Sequence, residues 1–303
     1  MSLSLMSLLP GVDRGLKNMK AECEFRGCHN KQLFRNFPGT RPGICVGQLW
    51  YCSVDCFALA LRTPFSNLST RRSVEIPRNP RLSLGLVMLS KGYLKPEQHR
   101  MAIAQSQLRG EELAATVLRL GLATEKQVAA ALSAQWGYPM LAQDYIGKMV
   151  QADLPRAILH ACQAAPLHYS ESAKRILLGF VSRVEHSVLE SIEQMTDLRV
   201  EPCFITRTDF EEQMERLTSS PKYEEMAVND PGPPEKMART VGRAAVEVGA
   251  RGARFAQYRN HVWARIFGKR GTVDVVFRMN QAAPEAKPVD SEVFFEPRIA
   301  HAG

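Results

Sequence analysis

Hydrophobic positions in the middle of the chain recur with helical spacing, and they do so twice. The two copies, residues 84–107 and 113–135, align at a constant offset of 29 residues, so that Gly92 corresponds to Gly121. Each copy contains a short apolar run, a glycine, a polar turn and a longer run with apolar residues on one helical face. Because neither copy can bury its apolar stripe alone, the pattern predicts two helical hairpins that pack on each other.

Local signals for helix ends support this division. Gly92 and Gly121 stand where the first helix of each copy should stop. Thr124 followed by Gln127 has the spacing of a capping box, and Pro96 suits the first turn of a helix. The sequence therefore predicts both ends of the turn within each hairpin.

The periodicity changes in the second half of the chain. Within residues 143–218, Leu154–Ala161 reads as a helix with Pro155 at its start. Strand, strand, helix, strand and helix follow, which predicts a small sheet backed by helices. After a segment rich in proline and acidic residues, residues 237–258 predict one helix dotted with arginines. Residues 262–267 and 272–277 alternate around a Gly-Lys-Arg-Gly turn and predict a β-hairpin. The expected fold class is α+β.

Cysteines concentrate near the N-terminus, where five of the seven lie between Cys23 and Cys56. Four of them form two close pairs, Cys23 with Cys28 and Cys52 with Cys56. Tetrahedral zinc needs such pairs of soft ligands brought together from separated turns. Since glycines and prolines interrupt the segment between the pairs, the sequence predicts a loop-rich module that a zinc ion holds together.

Two alternatives for these cysteines remain open. Cys45 or His29 could replace one ligand, or the cysteines could be reduced and buried without a metal.

The closing segment Tyr51–Cys56 resembles the second half of small treble-clef-like zinc fingers, in which the last ligand lies at a helix start. That resemblance implies a helix over Cys56–Leu61. Four protein ligands would leave no open coordination position, so the predicted zinc is structural.

The repeat and the segments after it follow the order of motifs in a known family. The repeat is followed by Gln135–Pro139, Ala164–Leu167, Arg175–Phe180 and Thr196–Pro202. Residues 81–218 together resemble the N-terminal domain of type II secretion and type IV pilus assembly ATPases, the MshEN-like module. The resemblance implies a domain that docks to a protein partner.

In some members of that family the paired repeats bind cyclic di-GMP. Carried over by position, the resemblance implies a nucleotide face made of one leucine and its neighbouring glycines in each copy: Leu84, Gly85, Gly92, Leu113 and Gly121. The arginines that begin each family motif are replaced by Ser83 and Glu112, and the second motif glycine is Ala114. The alternative is a helical docking platform whose glycines only end helices.

Signatures of catalysis are missing from the sequence. It contains no G-x-x-x-x-G-K-[ST] phosphate loop and no G-x-S-x-G nucleophile motif. We therefore expect a non-enzymatic chain that does not hydrolyse ATP.

Charge and hydropathy narrow the environment and the partners. The net charge of +8 favours anionic partners, which include nucleotides, nucleic acid and acidic protein surfaces. No apolar run approaches the roughly 18 residues of a membrane span. These features, with the absence of a signal-peptide pattern, predict a cytoplasmic protein.

The shifts in composition divide the chain into segments. These are a zinc module at 1–62, a linker at 63–80, the tandem repeat at 81–142, a small α/β subdomain at 143–218, a linker at 219–236, a basic helix and hairpin at 237–279, and a disordered tail at 280–303. The predicted function is a non-catalytic adaptor or regulatory protein of a secretion, pilus or signalling system. The alternative is a zinc-containing regulator that binds nucleic acid through the finger and the basic C-terminal region.

Overall fold

A computed structural model describes residues 21–32, 43–46, 49–70, 82–141, 153–218 and 224–279. Predictions for residues 1–20 and for a disordered tail at 280–303 lie outside the described residues. The helices are α1 Val54–Thr70, α2 Leu84–Ser90, α3 Pro96–Arg109, α4 Leu113–Arg119, α5 Glu125–Trp136, α6 Arg156–Cys162, α7 His186–Thr196, α8 Arg207–Thr218 and α9 Pro234–Val248. The strands are β1 Ala21–Glu22, β2 Lys31–Gln32, β3 Ile44–Val46, β4 Leu49–Tyr51, β5 Ala164–Ser170, β6 Arg175–Phe180, β7 Arg199–Phe204, β8 Glu224–Val228, β9 Ala250–Tyr258, β10 His261–Gly268 and β11 Gly271–Arg278. The predicted α+β class is confirmed.

The tandem repeat folds as α2–α3 and α4–α5. Thr124 and Gln127 form the expected capping box, in which the Gln127 amide donates to Thr124 Oγ1 and the Thr124 amide donates to Gln127 Oε1. Pro96 occupies the first turn of α3. The central apolar side chains of α2 and α4, Met88 and Val117, are fully buried. Helix ends and apolar faces of the repeat therefore agree with the sequence pattern.

The α/β subdomain has the predicted order of elements. Its sheet runs β5-β6-β7, with β5 and β6 antiparallel and β6 and β7 parallel. Helix α7 provides the crossover between the parallel strands, and α8 follows β7. The buried side chains of this sheet and of the repeat belong to one hydrophobic core.

The C-terminal region differs from the prediction of one long helix over residues 237–258. Helix α9 ends at Val248, where Gly249 adopts a left-handed conformation with φ of +60°, and residues 250–258 form β9. The predicted hairpin is present as β10 and β11. A strand forms here because apolar residues recur at every second position after Gly249, so that Ala253 and Phe255 lie on one side of the strand.

Both predicted linkers contain regular structure within their described parts. Strand β8 lies within residues 219–236 and pairs in parallel with β11 as an edge strand. Helix α1 continues through Pro64 to Thr70, far beyond the expected end at Leu61. Tertiary packing explains the extension, because Phe57, Leu61 and Phe65 form a buried stripe along α1.

The four-stranded sheet β8-β11-β10-β9 joins two hydrophobic cores. One face packs against α1 and α9, where Phe65 contacts the rings of Phe255 and Phe277. The opposite face packs against the α/β subdomain through residues such as Trp263 and Val276. The segment that carries the cysteines therefore belongs to the same packed unit as the C-terminal helix and sheet.

Candidate metal centre and ligand surface of the repeat

The four cysteines predicted as ligands lie together in the structure. The Sγ atoms of Cys23, Cys28, Cys52 and Cys56 are all within 4.8 Å of one another. Cys52 Sγ lies 3.5 Å from both Cys28 Sγ and Cys56 Sγ. No other group of three or more His, Cys, Asp or Glu side chains among the described residues has this arrangement.

Short backbone turns hold the two pairs in place. The Cys28 amide donates to the Phe25 carbonyl at 2.8 Å, which closes the turn between Cys23 and Cys28. The Glu24 amide donates to the Trp50 carbonyl, so this turn is tied to the end of β4. Ser53 Oγ accepts from the Cys56 amide, which places Cys52 and Cys56 at the N-terminus of α1. The positive end of a helix dipole favours thiolate ligands there.

The donor set fits zinc. Four thiolates at about 2.3 Å from a zinc ion lie roughly 3.8 Å from one another, and the sulfur separations here bracket that value. Burial raises the pKa of the Cys56 thiol to about 12 and also raises that of Cys23, so a metal must displace protons when it binds. His29 is outside this group of four, and the side chain of Cys45 lies outside the described part of the chain.

The structure brings together only part of the nucleotide face that the resemblance implied. Gly85 and Leu113 are neighbours, since a Cβ atom on Gly85 would lie 3.2 Å from Leu113 Cδ2. Leu84 is buried in the core, whereas Gly92 and Gly121 are exposed at the ends of α2 and α4 with φ of +68° and +64°. Their role in ending the two helices is thus enough to explain why both positions are glycine.

The positions that carry arginine in the family have internal partners here. Ser83 Oγ accepts from the Leu86 amide and caps α2. Glu112 Oε1 lies 3.8 Å from Arg183 Nε. Gly85 is covered by His99, whose Nε2 would lie 2.2 Å from an added Cβ. The main chain at Gly85 is therefore closed to a ligand from that side.

The two copies of the repeat differ in what covers them. The second copy faces a cavity of about 340 Å³, whose opposite wall is the start of the α/β subdomain, and Ala115 lines it. The equivalent residue in the first copy, Leu86, is 50% exposed, and Leu82 is 69% exposed. The second copy thus faces another part of the chain across a cavity, while its counterpart presents apolar side chains to solvent.

The sequence analysis did not predict an ion-pair cluster that lies beside this cavity. Glu185 binds Arg183 at 2.9 Å and also binds Arg259. Partial burial acts to raise the pKa of Glu185, but the hydrogen bond and charge of Arg259 outweigh it and hold that pKa below its usual value. The three residues come from two distant segments, and no local motif marks them.

Comparison with known proteins supports the motif analysis. No family model matches the chain. Over 153 residues, or 50% of this chain, the sequence is 28% identical to the type IV pilus assembly ATPase PilB of Thermus thermophilus, and the match spans only 17% of that ATPase. This chain is similar to part of a pilus assembly ATPase. The PilB match confirms the family resemblance predicted from the sequence.

Two solved structures match part of the chain. The structure of MshE with cdg is 18% identical to this chain and gives a TM-score of 0.38; the match covers 45% of this chain and 99% of the MshE chain. The N-terminal domain of XpsE is 20% identical to this chain and gives a TM-score of 0.36; the match covers 44% of this chain and 92% of the XpsE chain.

No helix in the described ranges is both long and apolar enough to cross a bilayer.

Proposed function

We propose that this chain is a non-catalytic adaptor or regulatory protein that docks to a protein partner through the first copy of its helical repeat. The partner class is a component of a secretion, pilus or related signalling system, which follows from the similarity to a pilus assembly ATPase. A structural zinc at the four cysteines would hold the N-terminal module against the C-terminal sheet.

The difference between the two copies of the repeat carries this proposal. Residues of the second copy meet the α/β subdomain, and Glu112 pairs with Arg183 there. Glu111 and Ala115 of the second copy line the cavity, and the residues at the same positions of the first copy, Leu82 and Leu86, are exposed and apolar. A face that meets another part of the chain in one copy and is apolar but open in the other is suited to an external protein.

The next helix of the first copy carries further exposed apolar residues. Met101 and Leu108 are exposed at 46% and 78%, and they stand seven residues apart on one face of α3. Ala104 lies between them on the same face and is also exposed. Exposed apolar residues are common singly, but repetition along one helical face is typical of a docking helix.

Substitution of Leu86 tests the proposal. Leu86→Glu places a charge in the middle of the apolar surface, so we expect it to weaken partner binding about tenfold or more. Val246→Glu is the matched control, because Val246 on α9 has the same 50% exposure outside the repeat. The measurement is affinity capture from the native cell with the wild-type chain and both variants, followed by identification of the bound proteins and titration with the purified component.

The expected outcome is a secretion or pilus component that is bound by the wild type and by Val246→Glu but lost with Leu86→Glu. Equal loss in both variants would point to general destabilisation, which circular dichroism of the variants would reveal. If that component binds all three folded proteins equally, the first copy of the repeat is not the docking site.

A further inference from the structure

A second cavity, of about 300 Å³, lies between α6 and the C-terminal sheet. Its walls include Ala157 and Ala161 from α6 and Asn229 from the end of β8. His261 of β10 and Arg278 of β11 line its other side. These two residues are direct cross-strand partners, so their side chains stand next to each other on one face of the sheet.

A guanidinium beside an imidazole is stabilised by a nearby carboxylate. Three other arginines of this sheet and its turns have such partners: Arg254 with Asp197, Arg259 with Glu185, and Arg265 with Asp274. No carboxylate of the described residues pairs with Arg278. Among the described residues, no carboxylate lines the cavity either.

His261 adds a second group that lacks a partner. Its side chain is only 8% exposed, and its buried Nδ1 atom has no hydrogen-bond partner among the described residues. A buried polar atom left without a partner costs about 1–3 kcal/mol, so native proteins usually supply one. An anion in the cavity would accept hydrogen bonds from Arg278, and its charge would stabilise the protonated form of the neighbouring imidazole.

We propose that this cavity is a binding site for a small organic anion that carries a phosphate or a carboxylate group. The guanidinium of Arg278 at the exposed rim binds the anionic group, and Asn229 offers a neutral amide donor beside it. Small apolar side chains of α6 leave room for the rest of the molecule. This site is separate from the repeat and independent of the docking function proposed above.

The charges around His261 give the site a pH dependence. Burial, followed by the charges of Arg278 and Arg259, lowers the pKa of His261 below 6.5. Among the described residues, the other titratable groups nearby are His160 on α6 and Tyr258, the cross-strand partner on β9. Ala227 of β8 and Asn229, which follows that strand, also line the cavity and carry no charge. A bound anion stabilises the imidazolium, so binding raises the pKa of His261, and affinity increases as the pH falls.

Nuclear magnetic resonance titration of the full chain tests the site with two simple probes. Sulfate, which keeps its charge across neutral pH, represents the phosphate group, and acetate represents the carboxylate. Chloride at the same ionic strength is the reference. We expect saturable shifts at Asn229 and His261 with at least one probe, and the stronger probe identifies the anionic group of the ligand.

Variants distinguish binding at this site from general electrostatic attraction of the probe to a basic protein. Arg278→Gln should weaken the binding of the stronger probe about ten- to hundredfold, because a charge-assisted hydrogen bond is lost. Arg243→Gln removes the same charge from the exposed side of α9 and should leave the affinity unchanged. His261→Gln should retain binding at pH 8 but lose the gain in affinity at lower pH.

The proposal would be overturned by the absence of saturable shifts with both probes, or by equal affinities of the folded Arg278→Gln and Arg243→Gln variants. Thermal unfolding of each variant establishes that it is folded. Because Arg278 is exposed, its replacement should not change the unfolding temperature appreciably.

Discussion

A chain carrying Cys52→Ser is expected to lose the folded structure of the N-terminal module and of the C-terminal unit together. A structural zinc contributes apparent free energies of about 10–16 kcal/mol in zinc-finger peptides, whereas a whole domain is stable by only about 5–15 kcal/mol. Loss of one of four ligands therefore removes enough free energy to unfold what the metal supports.

The packing of α1 determines how far this unfolding spreads. Helix α1 begins two residues after Cys52 and buries Phe57, Leu61 and Phe65. At its start Val54 lies so close to Gly242 of α9 that a Cβ atom there would be 2.7 Å from Val54 Cγ1. When the module unfolds, α9 and one face of the sheet lose the surface that covers them.

Hydrogen exchange measured by mass spectrometry checks this expectation. Peptides from α1, α9 and β9–β11 should exchange fast in Cys52→Ser, while those from α2–α5 stay protected as an internal control. Cys203→Ser serves as the matched cysteine variant and should retain wild-type protection of α1 and α9, because Cys203 lies in the other hydrophobic core and is not one of the four clustered cysteines. Fast exchange confined to residues 21–61 would show that the C-terminal unit folds without the metal.

Cyclic di-GMP, the ligand that the family resemblance implies, is expected to bind no tighter than the high micromolar range. Ser83 and Glu112 replace the two arginines, and each lost bidentate contact to a charged group costs about 1.5–3 kcal/mol. Together these losses weaken binding by about two to four powers of ten. The cap made by Ser83 and the pairing of Glu112 with Arg183 explain how the chain uses these positions instead.

Calorimetry on the wild type and on the double variant Ser83→Arg with Glu112→Arg measures this effect. The double variant should bind the dinucleotide at least tenfold more tightly. Glu171→Arg with Ser172→Arg, in the exposed turn after β5, changes the net charge by the same amount and should have no effect. Arg81 and Arg109 lie near the two replaced positions in the sequence but out of register with them. Submicromolar affinity in the unmodified chain would contradict this account and would mean that one of these arginines binds the dinucleotide instead.

Features set by neighbouring residues were predictable from the sequence. The capping box of Thr124 and Gln127 and the helix ends at Gly92 and Gly121 depend on contacts within one turn. The pair spacing of the cysteines likewise indicated which four would meet. Each of these patterns carries its own physical reason within a few residues.

Features set by distant contacts were not predictable in this way. No apolar side chain of strand β8 is buried, and the strand is defined by parallel pairing with β11, which follows about fifty residues later. Phe65 contacts Phe255 and Phe277, which lie about 190 or more residues later in the chain. No pattern within either segment predicts this contact. The pairing of His261 with Arg278 likewise follows only from the register of the hairpin.

The zinc content of the purified protein tests the central claim most directly, because the four cysteines are proposed to organise both ends of the chain. Elemental analysis of protein purified without added metal should give about one zinc per chain, with the clustered thiols protected from titration until a chelator is added. A content near zero, with every cysteine freely titratable in the folded protein, would contradict the account.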